Sequence, residues 1–387
     1  MFGNQNKFLI LTAILLLPVN LFADMVSINP RPRMESMGGA GVATLGDQDS
    51  AMMNPASLSD VEKSKVEVFP LTLEAPFDLG TLNSFLDYND VRGNPAKTTT
   101  DKKKALTSFL SDAAIEATAA RINIYPSYTR KYMHIGLLMD MYVDPRLRVG
   151  GITGNEVMEL GGSSGTAGLI LGGGYSFLQD QLQVGMTVKP IYRVSITEQA
   201  NQTLHDVVLG LNKDADAAGN PPPNVSDQLF GKSKGKNRAY AVGVDLGVKY
   251  FIPYFKNLKP TVGLTYQDIG DTRFVGDKSL PADIPQSISV GIALHPNWSI
   301  FKNTFALDIR NMNQEEDFLN KFHFGAETVI WNLLAVRAGV AQGYLTGGLG
   351  FISKLFEADV YIASREAGRY SHIQDITTIG MRLALGW

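Results

Sequence analysis

Hydrophobic and polar residues alternate along most of this chain with a period of two, which is the period of a β-strand with one apolar face. In residues 377–387 (TTIGMRLALGW), every second position is large and apolar, and the positions between are mostly small or polar. The apolar face carries Ile379, Met381, Leu383, Leu385 and Trp387. A strand of a soluble β-sandwich has the same period, so this segment alone predicts a strand without its environment.

The alternation recurs in residues 240–250 (YAVGVDLGVKY), where aromatic residues stand at both ends of the apolar face. Residues 287–295, 304–310, 321–327 and 356–365 repeat it, and their charged residues fall on the opposite face. A Lys or Arg that faces lipid at mid-bilayer costs about 2–4 kcal/mol, so this distribution favours a lipid-facing apolar surface. The sequence therefore predicts an all-β fold, a transmembrane antiparallel β-barrel.

About fifteen segments show the pattern of a strand. Bacterial single-chain barrels have an even number of strands, so we predict about 14, with one candidate false or two early candidates merged. The candidates begin near residues 64, 121, 132, 145, 165, 181, 236, 258, 284, 300, 319, 333, 345, 355 and 373.

The N-terminus has the features of an export signal. Lys7 precedes an uncharged apolar run at residues 8–23, which is shorter than the roughly 20 residues of a membrane-spanning helix. We assign residues 1–23 to a signal peptide cleaved after Ala23. The alternative is a single membrane anchor. Only helices and closed barrels satisfy every backbone group in lipid, so we place the exported barrel in the outer membrane of a Gram-negative-type bacterium.

The two ends of the barrel can be assigned if Trp387 is periplasmic. A terminal aromatic residue is typical of the last strand that outer-membrane barrels present to the barrel assembly machinery, so we expect that partner besides outer-membrane lipid. Short turns near residues 178–180, 253–257, 296–297, 331–332 and 354 are then periplasmic. The longest outward connection is residues 198–235, which we predict to be an extracellular loop because of its Pro, Gly and Asn content.

Residues 24–62 precede the first strand and lack the alternation, so they do not belong to the lipid-facing wall. Pro55 disfavours helix at Asn54, and Asn54 can cap a second turn that has Pro55 at its first position. We predict two short helical pieces hinged at this dipeptide. They form a compact, largely apolar plug inside the barrel of residues 63–387.

Residues 38–43 (GGAGVA) and 49–56 (DSAMMNPA) resemble the N-terminal hatch of the FadL family, outer-membrane transporters of long-chain fatty acids and aromatic hydrocarbons. Residues 337–340 and 346–350 resemble late strands of FadL-like and related PorV-type barrels. The resemblance implies a barrel of about fourteen strands that is blocked by its hatch and passes apolar ligands without an energy source. The hatch and ligand pocket is then expected at Met52, Met53, Asn54, Pro55, Ala56 and Leu58.

Catalytic chemistry finds little support in the sequence. There is no cysteine, and none of the five histidines stands at metal-ligand spacing from another. His323 could act with a lumenal serine, but no nucleophile-elbow motif accompanies it. A net charge of −3 argues against a nucleic-acid partner. We predict a protein that is not an enzyme and has no cofactor or metal site.

Charged residues of both signs on the inner face are expected to form a polar network that rigidifies the barrel and its plug. Arg310, Arg337 and Arg382 are the candidates for contact with a ligand carboxylate. Two functions remain open. One is passive uptake of hydrophobic small molecules such as long-chain fatty acids, which predicts an apolar pocket at Met52, Met53 and Leu58. The other is a non-transporting outer-membrane scaffold or secretion-associated barrel of PorV type, which predicts a tightly filled lumen.

Overall fold

A computed structural model describes residues 31–77, 120–148, 157–196, 202–203, 236–255, 257–277, 280–366 and 375–386, together with parts of 83–108. The proposed signal peptide 1–23, nearly all of the loop 198–235, and Trp387 lie outside the described residues. What the sequence predicts for those segments stays a prediction.

Long β-strands make up most of the described chain. Two are interrupted: β1 comprises Lys65–Glu67 and Leu71–Pro76, and β2 comprises Ala120–Ile124 and Ser127–Arg130. The others, in chain order, are β3 (Met133–Arg148), β4 (Val157–Phe177), β5 (Leu182–Ile196), β6 (Lys236–Phe251), β7 (Thr261–Gln267), β8 (Ser287–Leu294), β9 (Phe301–Ile309), β10 (Phe322–Ile330), β11 (Leu334–Ala341), β12 (Tyr344–Ile352), β13 (Phe356–Glu366) and β14 (Asp375–Leu385). Short strands at Gln202–Thr203, Val275–Gly276 and Asn297–Trp298 extend their neighbours.

The strands close into a ring. Each is antiparallel to the next, and β14 pairs with β1 from Leu383 opposite Leu71 to Thr378 opposite Pro76. Within the described residues the ring has 14 strands, which confirms the predicted barrel and its even count. Closure satisfies the backbone of every strand edge, as a lipid environment requires.

The prediction of separate strands beginning near residues 132 and 145 is wrong, because β3 runs through both. Its register against β4 shifts between Tyr142 and Asp144, immediately before Pro145. Proline cannot donate to the ladder, and such a bulge is where a strand accommodates it. The two early candidates therefore merge into one strand.

Side chains alternate between the two surfaces of the ring. On β6, Val242, Leu246 and Val248 are exposed on the outside, whereas Asp245 and Lys249 are buried inside. Aromatic side chains ring the outer surface at one end: Tyr132, Tyr175, Phe177, Tyr250, Trp298, Phe301, Trp331 and Phe356. An apolar outer band with an aromatic girdle around a polar interior defines a transmembrane β-barrel of the outer-membrane class.

The ends of the barrel differ in their connections. Tight turns join β4 to β5 and β10 to β11, the second through Trp331 and Asn332, whose φ angles are 53° and 56°. Two consecutive left-handed residues are characteristic of hairpin turns that match the twist of the strands. We call this the short-turn end, and the opposite end, with connections 268–286 and 310–321, the long-loop end. Among the described helices, none is long and apolar enough to cross a membrane.

The apolar outer band predicts that the cost of a charged substitution on the outer surface depends on its depth in the membrane. Leu246 is 44% exposed near the middle of β6, so Leu246→Arg should destabilise the folded barrel in lipid vesicles by about 2–4 kcal/mol. The matched control is Leu345→Arg, at a residue that is 79% exposed next to the turn at the long-loop end. It should cost about 1 kcal/mol or less, because charge is tolerated near the interface. Urea titration of both variants in vesicles measures the difference, and equal costs would contradict a lipid-facing band.

Candidate functional site

The segment of residues 31–61, which we call the hatch, lies inside the ring and contains short helical turns. These are α1 (Pro32–Ser36), α2 (Ser50–Met53) and a 3₁₀ turn (Pro55–Asp60). Asn54 is extended and caps the last turn: its Oδ1 accepts a hydrogen bond from the backbone N–H of Ala56 at 3.1 Å. The predicted hinge at Asn54-Pro55 is present in this form, with proline at the first position of the turn.

The hatch packs closely against glycine residues of the barrel wall. A Cβ atom added at any of these glycines would come within about 3 Å of a hatch atom, closer than ordinary packing permits. We call this set the glycine belt: Gly172, Gly174, Gly185, Gly247, Gly263, Gly325, Gly339 and Gly348. It spans strands from β4 to β12, so the hatch fits the lumen on several sides at once.

Wall side chains supply hydrogen bonds to the hatch backbone. Asp308 Oδ2 accepts from the N–H groups of Gly41 and Val42 at 2.6 and 2.9 Å. Hydroxyl groups of Thr187 and Thr261 each donate to a hatch carbonyl oxygen at 2.6 Å. Lys249 Nζ, which is buried, binds the carbonyl oxygen of Thr44 at 3.0 Å and the carboxylate of Asp60. Such bonds are needed because backbone polar groups inside the lumen are otherwise cut off from water.

Ion pairs form a second set of tethers on one side of the lumen. Arg33 of the hatch binds Asp47 and reaches Glu327 of β10 at 2.8 Å. Glu327 also accepts from Arg337 at 2.7 Å, and Arg337 continues to Asp359 at 2.7 Å. Several of these groups, with Asp49 and Arg382, line a cavity of about 220 Å³. The cavity is therefore lined by charged groups, and several of these are paired with one another.

The opposite side of the lumen holds an apolar cluster beside buried ion pairs such as Lys189 with Asp245. Leu138, Ile170 and Ile191 of β3, β4 and β5 point inward and pack in one cluster with Leu58 of the hatch. The same cluster extends to Phe274 in the connection at the long-loop end, and Met52 packs against it. We call this cluster the apolar lumen patch. It runs from the hatch towards the long-loop mouth on one side of the barrel.

The structure separates the predicted pocket residues. Leu58 and the half-buried Met52 border the apolar lumen patch, whereas Met53 packs within the hatch near Met34 and Gly41. Asn54, Pro55 and Ala56 sit against Gly185 and Gly247 of the glycine belt. The charged cavity is bounded by none of these six residues. Their role in ligand binding stays a prediction.

The three candidate arginines also differ. Arg337 is held by Glu327 and Asp359, and Arg382 binds Glu67 at 2.6 Å, so a ligand carboxylate would have to compete with protein carboxylates at either one. Arg310, at the long-loop end of β9, has no such ion pair within the described residues. The hatch arginines Arg31 and Arg33 were missed at the sequence level. The sequence feature that could have indicated them is the pair of arginines in RPR at the start of an otherwise apolar segment.

These features define a class, an outer-membrane β-barrel whose lumen contains its N-terminal segment. No family model and no curated protein matches the chain. It is similar in structure to a solved "CymD monoaromatic hydrocarbon channel", with 14% identity, a TM-score of 0.48, and coverage of 93% of this chain and 97% of that one. It is also similar to the "P. putida toluene transporter TodX", with 13% identity, a TM-score of 0.48, and coverage of 92% of this chain and 98% of that one. For a "Pseudomonas aeruginosa FadL homologue", the identity is 10%, the TM-score is 0.46, and the coverage is 92% of this chain and 97% of that one.

The belt predicts that small additions to the wall displace the hatch. Gly185→Ala would overlap the backbone of Pro55, and Gly247→Ala would overlap Asn54. Such overpacking typically costs about 1–3 kcal/mol, so both variants should loosen the hatch and raise ion conductance in planar bilayers. Gly173→Ala is the control, since nothing lies within 4 Å of its new atom. Unchanged conductance in both belt variants would contradict a close-fitting hatch.

Asp49 predicts a pH dependence of hatch docking. Burial, and next the charge of Asp47, raise the pKa of Asp49 to about 7, against the opposing effects of Arg382 and Arg31. Because folding raises this pKa, the protonated carboxyl group of Asp49 favours the folded state. This contribution to the free energy of unfolding is complete below pH 3.8, the usual pKa, and is lost as the pH rises through about 7. The melting temperature of Asp49→Asn should therefore increase relative to that of the wild type as the pH rises from 3.8 to about 7. A difference that is constant with pH would contradict this assignment.

Proposed function

We propose that this protein is a passive channel for the uptake of hydrophobic small molecules across the outer membrane. The observation that supports it is the apolar lumen patch. A water-filled porin keeps a polar interior, so large apolar side chains from β3, β4 and β5 that point into the lumen suit an apolar ligand instead. Their position between the hatch and the long-loop mouth suits entry from that end.

An apolar ligand needs no energy source for such a path. Each methylene group that leaves water contributes about 0.8 kcal/mol, so a long alkyl chain partitions strongly into an apolar site. Met52 borders the patch from the hatch side, and methionine adapts its shape to irregular partners. A shift of this part of the hatch would let a ligand replace it against Ile170 and Ile191.

Long-chain fatty acids are the ligand class that we propose in particular. The support is the resemblance of residues 49–56 (DSAMMNPA) to the FadL-type hatch, together with the patch that this hatch borders. Their alkyl chains match an elongated apolar surface better than compact molecules do. Their carboxylates also suit a lumen that contains arginine side chains.

A second candidate function is a non-transporting scaffold of the PorV type. The close fit between the hatch and the glycine belt favours it, because a lumen filled in this way suits a rigid barrel that presents its outer surface to a partner. The two candidates differ in one measurable property. A channel binds an apolar ligand in its lumen, and a scaffold does not.

Ligand titration tests the channel. The purified barrel in detergent should bind oleate saturably, and Phe274→Ala and Met52→Asp should each weaken binding about tenfold or more, since burial of such a side chain contributes about 1.5–3 kcal/mol. Phe324→Ala, at an exposed phenylalanine of the outer band, is the matched control and should bind as the wild type does.

The scaffold function would be favoured over the channel if a well-folded wild-type barrel bound no oleate. Equal loss of binding in Phe324→Ala and Phe274→Ala would also contradict a lumenal site, because it would indicate that oleate partitions onto the outer surface or into bound detergent.

A further inference from the structure

The chain leaves the line of the wall just after β7. Tyr266, near the end of that strand, pairs with Leu246 of β6. Pairing with β6 resumes where Val275 meets Tyr240. Between these two pairs the chain advances by nine residues and β6 by only six, so the surplus residues must fold out of the sheet. We call residues 268–277 the inturned segment, because the side chains described next enter the lumen.

The inturned segment covers the apolar lumen patch from the long-loop end. Phe274 is 3% exposed and belongs to the same cluster as Ile191 of the wall. The guanidinium of Arg193 lies over its ring, 4.8 Å from the ring centroid. The two neighbours of Phe274 in sequence, Arg273 and Val275, are exposed. Phe274 therefore closes the patch on the side away from the hatch.

One lysine holds the segment in this position. Lys189 Nζ lies 2.8 Å from Asp245 Oδ1 and 2.9 Å from Asp268 Oδ1, so it joins the wall to the segment. The backbone N–H of Asp268 also donates to Asp245 Oδ1 at 2.8 Å. Thr272 Oγ1 donates to Asp268 Oδ1 at 2.7 Å, which orients that carboxylate. We call Lys189, Asp245 and Asp268 the latch.

The charge of the latch is incompletely compensated. Two carboxylates share one ammonium group, and neither forms another ion pair within the described part of the chain. Asp245 is 0% exposed, and its Oδ2 atom has no hydrogen-bond partner among the described residues. A buried carboxylate oxygen without a partner is costly, and contact with water removes that cost. The latch therefore holds the segment in place without making the closed position permanent.

The segment has a hinge where it leaves β7. Asp268, Gly270 and Asp271 have left-handed φ angles of 51°, 76° and 63°, which turn the chain away from the strand. A Cβ atom added at Gly270 would meet nothing within 4 Å, so the hinge lies in open space. Lids commonly move about a few residues at the end of an element that absorb the change in backbone angles. The far end of the segment is fastened by the short pairing of Val275 and Gly276 with β6.

We propose that the inturned segment is a lid through which an apolar ligand enters the lumen from the long-loop end. This inference rests on the proposed function and deepens it, because it names the point of entry. The lid moves outward about the hinge, the ligand passes to the apolar lumen patch, and Phe274 closes over it when the latch forms again. Opening of the lid then sets the rates at which the ligand enters and leaves.

A disulfide bond on the outer surface tests the lid. The chain has no cysteine, so Val275→Cys combined with Tyr240→Cys introduces a single pair of thiols. The two residues lie directly opposite each other on antiparallel strands, at a separation that a disulfide can span. Both side chains are exposed on the outside, so the bond would fasten the lid without occupying the path of the ligand.

Radiolabelled oleate is the probe, and the oxidised and reduced forms of one purified sample are compared. The reduced barrel should bind and release oleate as the wild type does. Oxidation before loading should slow association about tenfold or more, because the ligand cannot pass a closed lid. Oxidation after loading should slow release by a similar factor, because the bound ligand is trapped.

Leu349→Cys combined with Val360→Cys is the matched control. These residues also lie directly opposite each other and are exposed on the outer surface, on β12 and β13, which do not belong to the lid. Oxidation of this pair should leave both rates unchanged. Equal slowing by the two disulfide bonds would indicate a general stiffening of the barrel and would refute the lid.

Asp245→Asn tests the latch. The substitution keeps an Oδ1 acceptor for Lys189 and for the backbone of Asp268, and it removes the surplus negative charge. The latch should therefore hold more tightly, and oleate release should slow severalfold, whereas ordinary structural damage would speed it. Release at the wild-type rate or faster would contradict the latch.

The remaining outcomes separate the two levels of inference. Saturable oleate binding with rates that do not change on oxidation would refute the lid and leave the hydrophobic channel standing. If the wild-type barrel bound no oleate, the channel and the lid would fail together.

Discussion

The close approach of the hatch backbone to the wall is the constraint on which the rest of this structure depends. The residues of the glycine belt have no side chains at the points where the hatch contacts the wall. The hatch backbone therefore comes within hydrogen-bonding distance of the neighbouring wall residues. Asp308 and Thr187 can then satisfy hatch amides and carbonyls directly. A bulkier wall would hold the hatch too far away for these bonds, and its polar backbone groups would remain buried without partners.

The lumen that results contains both an apolar cluster and networks of buried ion pairs. On the side built from β3 to β6, an apolar cluster that includes Phe274 packs against Leu58 of the hatch, next to buried ion pairs such as Lys189 with Asp245. The other side, built largely on β10 to β14, carries Glu327, Arg337 and Asp359 in a continuous chain of ion pairs. Burial of so many charges is tolerated because nearly every one meets an opposite charge.

Much of the fold could be predicted from the sequence because the period of a strand is local. Alternation at residues 240–250 fixes which side chains face lipid, and Asn54-Pro55 fixes a helix cap, since both depend on neighbours in sequence. The strand through Pro145 was divided wrongly, because proline usually ends a strand and the bulge that accommodates it depends on the register against β4. The partners of Arg337 and Arg382 could not be predicted either. Both alternate inward, but Arg337 pairs with Glu327 and Asp359 on neighbouring strands, and Arg382 pairs with Glu67, which is 315 positions away.

The closure of the ring has a consequence for how the molecule is assembled. Leu71 of β1 pairs with Leu383 of β14, so the wall has an open seam until these two strands meet. The hatch precedes every described strand in the chain. It can therefore occupy its place while the wall is still a curved sheet, and the final strand encloses it. Insertion after closure would instead require the hatch to pass the belt of glycines and the ion pairs from one end of a completed cylinder.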